Sequence, residues 1–226
     1  MYLIDKTYFV KELTIPNLNE MNSPVLTDIN RYIDTDVRLV LTNALGYQLF
    51  SEFDAQMVQG PTGGTLSITA DTRWQNLVYG VQYTGDTGTV KWKGLLYTEG
   101  ILPQSPLTSY VYVDWLSNNQ TLLTGTGEKV VVAQNAINTS STQRQTVIWN
   151  KFVEQYQGLC SNRHDYYNGR YNYDYYINSY GIRVKDYRFS KTFNGNVSLL
   201  QFLVDHPTDY PDANLFQYQI KNQLGL

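Results

Sequence analysis

Apolar residues between Ser23 and Phe53 (SPVLTDINRYIDTDVRLVLTNALGYQLFSEF) recur in steps of three and four: Val25, Leu26, Ile29, Ile33, Val37, Val40, Leu41, Ala44, Leu45 and Leu49. That spacing places them on one stripe of a 3.6-residue helix. Asp28, Arg31, Asp34 and Arg38 occupy the other face, with Asp34 four residues ahead of Arg38 in the better order for an exposed ion pair. Ser23 is placed to cap the first turn, and Pro24 follows where a missing N–H costs nothing. From Pro24 to Leu45 the helix spans roughly 33 Å. Gly46 interrupts it, and Tyr47 to Gln56 resumes helically. One long oily stripe requires cover from other helices.

The remaining pattern is more broken. Residues 1–22 read as an extended lead-in that lays Tyr8, Phe9, Leu13 and Ile15 on the long helix. Gly60 to Gly64 reads as a loop. Thr72 to Tyr79 makes a short helix with Asp71 as cap and Gly80 as its end. Residues 81–100, rich in Gly and Thr, form a long loop or a two-stranded excursion turning at Gly85–Gly88. Pro106 opens a helix that ends near Asn118. Thr121 to Val132 alternates as a β-hairpin about Gly125–Gly127. A second long helix starts near Ser141 and carries Val147, Ile148, Phe152, Tyr156 and Leu159; whether it passes Gly158 is open. Residues 182–193 read as a short strand and Val197 to Asp205 as a final helix. The pattern predicts a mainly α fold: a helical bundle of long amphipathic helices plus a small β-hairpin. No linker splits the 226 residues, so residues 1–226 are one domain.

Composition narrows the chemistry. Seventeen basic and 20 acidic residues leave a formal charge of −3, which argues against nonspecific nucleic-acid binding over the whole surface but not against a local basic strip. One cysteine, Cys160, excludes an internal disulfide or a multi-cysteine metal site. No apolar run approaches the ~20 residues that span a bilayer, so no membrane is expected. The opening MYLIDKTYFVKEL lacks a signal-peptide order, which places the chain in the cytoplasm of the cell that makes it. His164 and His206 are the two histidines, each beside an acid. They read as surface residues rather than a shared metal site, and Cys160 as a small buried residue. Thr124 to Lys129 resembles a phosphate loop only superficially and reads as a hairpin turn. No catalytic residue, metal or cofactor is expected.

Three stretches remain as candidates for binding. Tyrosines crowd residues 156–187, among them Tyr171 and Tyr175. They read as a protein–protein interface, as a stacking platform for sugars or bases, or as a wet aromatic layer within the monomer. Arg183, Lys185, Arg188 and Lys191 form a basic run. Strand alternation would aim Arg183 and Lys185 to one side, towards nucleic acid, an acidic partner or solvent. The tail from Asn214 to Leu226 carries Leu215, Phe216, Tyr218, Ile220 and Leu224 with a period of two over its first part. It is too oily for a free end, and Pro207 and Pro211 separate it from the final helix. It is expected to dock on another chain, with a strand in its own sheet as the other reading.

Taken together these features resemble the head–tail connector (adaptor) proteins of tailed bacteriophages, most closely the ring proteins of crAss-like and other Bacteroidetes phages. The resemblance rests on the lead-in (Tyr2 to Ile15), the long helix ending Asn43-Ala44-Leu45-Gly46-x-x-Leu49, and the helix after Pro106. It continues through the Thr-Gly hairpin (Thr124 to Val132), the long helix from Thr142, and Leu199, Leu200, Phe202 and Leu203 ahead of Tyr210-Pro211. It implies a single adaptor-like domain with an insertion at about 60–100 and a docking tail at about 214–226. The implied function is structural, without catalysis: a homo-oligomeric ring, generally a dodecamer, at the head–tail junction of the virion, assembled in the host bacterial cytoplasm. The implied partners are the portal protein, a further tail or ring protein, and passing DNA without sequence specificity. A carbohydrate-binding or tail-fibre-associated adhesion module is the alternative drawn from the aromatic, Asn-rich composition. An enzyme built around Cys160 and His164 is a third.

Overall fold

A computed structural model describes residues 3–20, 23–60, 63–85, 88–119, 121–124, 127–130, 142–158, 175–177, 183–185, 196–219 and 221. For 121–124, 127–130, 175–177 and 183–185 it describes the backbone alone.

Helix α1 runs Pro24–Leu45 and buries Ile29, Ile33, Val37, Val40, Leu41, Ala44 and Leu45, the stripe expected from the spacing. Pro24 stands in its first turn. The Ser23 hydroxyl makes no capping bond, although the Ser23 carbonyl accepts from Leu26 and Thr27. On the outer face Arg31 pairs with Asp28 at 3.0 Å, and Arg38 reaches Asp34 at 3.6 Å and Asp54 at 3.4 Å. Gly46, at φ +82°, closes α1 by donating its N–H to Thr42, and its own carbonyl accepts from Phe50 to start α2 (Tyr47–Asp54). A left-handed residue at that junction is why the helix breaks there rather than bending.

Two short strands, β1 (Met57–Gly60) and β2 (Gly63–Leu66), follow as an antiparallel pair with Gly60 opposite Gly63. Helix α3 (Thr72–Tyr79) comes next, without a side-chain cap from Asp71, and ends at Gly80 as expected. The 81–100 stretch resolves to a two-stranded excursion: β3 (Val81–Gly85) pairs with β4 (Gly88–Trp92), Gly85 opposite Gly88. Gly80 and Gly94 pass each other so closely that a Cβ on either would lie 2.5 or 2.6 Å from backbone of the other segment. This approach lets Leu95 and Leu96 donate to the carbonyls of Leu77 and Val78, and the Trp92 indole to Leu77. Trp74, Leu77, Val78, Val90, Trp92 and Leu95 thereby join the same core as α1. Strands β5 (Tyr97–Glu99) and β6 (Leu102–Gln104) form another hairpin.

Helix α4 (Pro106–Asn119) lies between α1 and α5 (Thr142–Gln157). It buries residues around much of its circumference, as a helix covered on two sides must. Asp28 of α1 holds its far end by accepting from the Trp115 indole at 3.2 Å and from Asn119 at 3.3 Å. Gly158, at φ +84°, follows α5, with its N–H on Glu154. Between and beyond these helices lie the hairpins β7 (Thr121–Thr124)–β8 (Gly127–Val130) and β9 (Tyr175–Ile177)–β10 (Arg183–Lys185). Helix α6 (Leu199–Asp205) packs on α5, capped by the Ser198 hydroxyl.

The expected helical bundle with one small hairpin is therefore corrected. Among the described residues six helices accompany five two-stranded antiparallel sheets, a mixed helix-and-strand fold. Only α1, α4 and α5 are long, while α2, α3 and α6 have 8, 8 and 7 residues. Among the described elements α4 makes most of the contact with α1, joined by the short α2 and the Lys6–Tyr8 turn, so one long helix covers α1 where a bundle was expected. The supposed Gly60–Gly64 loop is part of the β1–β2 hairpin. The lead-in folds as two 3-10 turns, Lys6–Tyr8 and Lys11–Leu13, burying Phe9, Leu13 and Ile15.

Candidate functional site: the C-terminal strap and its groove

After α6 the chain turns through Tyr210, whose ring is buried edge-on against Trp74 and Phe202. Its hydroxyl donates to the Arg73 carbonyl. The segment 211–215 then reverses direction, with Asp212 at φ +58° and Leu215 at φ +50°. Both are non-glycine residues in the left-handed region, a conformation that crowds their Cβ.

From Asn214 the chain forms an extended strap across α1, α4 and α5. The N–H groups of Leu215 and Phe216 donate to the carbonyls of Ala44 and Asn43, each at 3.1 Å. Those carbonyls belong to the last turn of α1, which has no helical donors for them, so the strap finishes that helix end. The Tyr218 ring enters an aromatic pocket, with centroids 5.0 Å from Tyr156, 5.1 Å from Phe152, and 5.7 Å from both Trp149 and Tyr110. Its hydroxyl accepts from Asn43 Nδ2 at 2.9 Å.

Further along, α5 reads the strap backbone with side chains. Gln157 accepts the Tyr218 N–H at 2.8 Å and donates to the Tyr218 carbonyl at 3.0 Å. Asn150 does the same at Lys221, accepting at 3.0 Å and donating at 2.9 Å. Between them the Trp149 indole donates to the Gln219 carbonyl at 2.7 Å. A primary amide carries a donor and an acceptor side by side, so it can stand in for one residue of a neighbouring strand. The Lys221 ammonium also lies 4.9 Å from the Trp149 ring centre, within cation–π range.

The pocket floor is polar as well as aromatic. Asp36 of α1 is 6% exposed, and its Oδ2 has no hydrogen-bond partner among the described residues. Its other oxygen accepts a 3.3 Å bond from Thr35 Oγ1. Burial, together with the nearby Asp114 carboxylate, pushes the Asp36 carboxyl up to about 7. Burial also raises the hydroxyls of Tyr110, Tyr156 and Tyr218, so these rings stay neutral.

Of the residues singled out from sequence, Leu215 and Tyr218 pack on this chain's own core, while Phe216 remains 46% exposed beside Tyr218. Among its described residues the strap joins no strand ladder, and Phe216 and Tyr218 do not share the single apolar face that a period of two predicts. Tyr175 stands opposite Lys185, and Arg183 opposite Ile177, on the β9–β10 hairpin, which brings part of the tyrosine-rich stretch and part of the basic run together. Tyr171, Arg188, Lys191, Ile220, Leu224, Cys160 and His164 lie outside the described residues. His206 is half-buried rather than on the surface, its Nδ1 2.9 Å from the Phe202 carbonyl and its ring 4.5 Å from Tyr83. Sequence reasoning missed Asn150, Gln157 and Asp36. Asp36 falls on the α1 stripe seven residues after Ile29, and that spacing was its one signal.

No family model, no curated protein and no solved structure matches this chain.

Proposed function

We propose that this chain is a structural ring subunit at the head–tail junction of a tailed bacteriophage, joining the portal to the tail and extending the DNA channel. The observation that carries the reading is a set of large apolar side chains turned outward on projecting elements. Ile101 at the β5–β6 turn is 94% exposed, Ile68 in the loop after β2 is 95% exposed, and Tyr47 at the start of α2 is 82% exposed. A closed ring presents two different surfaces on every subunit, and such positions are covered when copies meet. The sequence features behind the resemblance also fall on folded elements in the same order: α1 up to Gly46, α4 after Pro106, β7–β8, α5 from Thr142, and α6 ahead of Tyr210-Pro211.

In this reading the chain works by geometry. Its partners are further copies of itself in a dodecamer-like ring, the portal protein and a further tail or ring protein. DNA passes without sequence-specific grip, and a formal charge of −3 suits a channel that does not hold its cargo. The basic run Arg183, Lys185, Arg188 and Lys191 is assigned to contact with the passing DNA or an acidic partner. Among the described residues, aromatic rings are mostly consumed by packing. Trp92, for example, stacks on Phe202 and spends its N–H on Leu77, which leaves no open face for a sugar.

Light scattering with negative-stain microscopy of the purified chain, alone and with portal protein, tests the proposal. Closed rings with a central hole are expected. A monomer at all concentrations in both samples overturns it.

A further inference from the structure

Helix α5 is built as a ruler for an extended peptide. Gln157 and Asn150 are seven residues apart, about 10.5 Å along a helix. Their targets, Tyr218 and Lys221, are three residues apart, roughly 10 Å along an extended chain. The two amides therefore meet every third residue of a strap that runs antiparallel to the helix, with the Trp149 indole taking the carbonyl between. This recognition uses backbone atoms and one aromatic pocket. Nothing in it depends on the strap belonging to the same copy.

The connection to the rest of the chain points the same way. Tyr210 is anchored in the core, so the hinge is confined to Pro211, Asp212, Ala213 and Asn214. That short hinge, with Leu215 after it, holds two non-glycine residues in left-handed conformations to bring the strap back onto its own α1. A short hinge under strain favours exchange of the segment it carries. Straightening it relieves Asp212 and leaves the strap contacts from Phe216 to Lys221 available to another copy.

We propose that the strap, Leu215 to Lys221, is exchangeable, and that in the assembled state it seats in the α1–α4–α5 groove of a second copy of this chain. Passing the strap from each copy to the next is a heterologous contact, the kind that closes a ring when the rotation fits. The inference deepens the ring reading by naming the segment that joins neighbours, and rests on that reading for the existence of an assembly.

The test uses the full chain carrying Asn150→Cys and Lys221→Cys in a Cys160→Ser background. It is oxidised at increasing concentration and run on non-reducing gels beside light scattering of the same samples. Exchange gives a ladder of covalent oligomers whose share rises with concentration. Internal cross-links alone, in samples that scattering shows to be associated, overturn exchange and leave the ring reading standing. Samples that never associate overturn both. A second measurement does not depend on the cysteines. Full chains with Tyr218→Ala, which keep Asn150 and Gln157, are mixed with Asn150→Ala/Gln157→Ala chains, which keep the intact strap. Exchange predicts that the mixture forms a heterodimer that neither variant forms by itself. A mixture that remains the sum of its parts overturns the proposal.

Discussion

Tyr218 lies edge-on to Tyr156, ring centres 5.0 Å apart, so the tail of the chain supplies a wall of the aromatic layer formed by α4 and α5. Edge-to-face packing of this kind stabilises beyond the area buried, by about 1 kcal/mol for each good pair. The strap is thus a part of the fold.

Tyr218→Ala removes a ring that touches Tyr110, Trp149, Phe152 and Tyr156. The expected loss is about 3 kcal/mol in urea unfolding, at the low end for a large aromatic because the site is half-open. Tyr218→Phe keeps the ring and deletes only the bond from Asn43, with an expected loss near 1 kcal/mol. Equal losses for the two variants would mean that the hydroxyl, not the ring, holds the strap.

Asn150→Ala and Gln157→Ala each leave a strap N–H and carbonyl without their amide partner. Each is expected to cost about 1–2 kcal/mol locally, visible as roughly ten-fold faster hydrogen exchange at Lys221 or Tyr218 respectively. The melting temperature of the remaining core should move little. Unchanged exchange at both positions would show that the amides do not hold the backbone.

Ile33 is fully buried on α1. Ile33→Ala is expected to lower stability by about 2–4 kcal/mol, according to how far the site collapses. Ile33→Asp should prevent folding at ordinary temperature. An Ile33→Asp chain that melts like the parent would remove α1 from the centre of the fold.

The α1 stripe was legible because steps of three and four leave no alternative to one helical face. The hairpin at Gly60–Gly63 was not, since the three glycines and one proline of GPTGG read as a turn and offer no alternation of apolar and polar positions. The strap shows a subtler limit. The alternation of Phe216 and Tyr218 predicted one shared apolar face, yet Phe216 is exposed while Tyr218 enters the aromatic pocket. The partners are side-chain amides on a helix, and a period of two cannot distinguish those from a neighbouring strand. Asn150 and Gln157 themselves look like ordinary polar helix residues in sequence, and only the path of the strap gives them a role. Asp36 was hidden by its charge, though its place among Ile29, Ile33 and Val40 is that of a core residue.

Changing Arg183, Lys185 and Arg188 together to Glu reverses a local field without touching the described core. Under the ring reading, the variant folds normally by circular dichroism but assembles with portal poorly or fails to retain DNA. Normal assembly and genome retention would reduce the run to solvated surface.

The last expectation concerns pH. Asp36 is buried on α1, with Thr35 as its one hydrogen-bond donor among the described residues and Asp114, Tyr110 and Tyr218 as the titratable groups described around it. Its carboxyl moves from an ordinary value of 3.8 to about 7 on folding, first through burial and then through the Asp114 charge. The folded state therefore binds the proton more tightly than the unfolded state. The stability this adds is fully present below about pH 4 and is lost as pH rises towards 7, with a slope of at most roughly 1.4 kcal/mol per unit. Glu12, lowered chiefly by its hydrogen bond to Lys151, works in the opposite sense, but below its ordinary value of 4.5. Between pH 5 and 7 the Asp36 effect should dominate, so the protein is expected to melt higher at pH 5 than at pH 8. Asp36→Asn carries no proton to lose and should flatten that dependence, with a gain over the parent at pH 8 and little difference at pH 5. A parent melting temperature that is level or rising from pH 5 to pH 8, with Asp36→Asn parallel to it, would show that Asp36 is ionised in the folded protein.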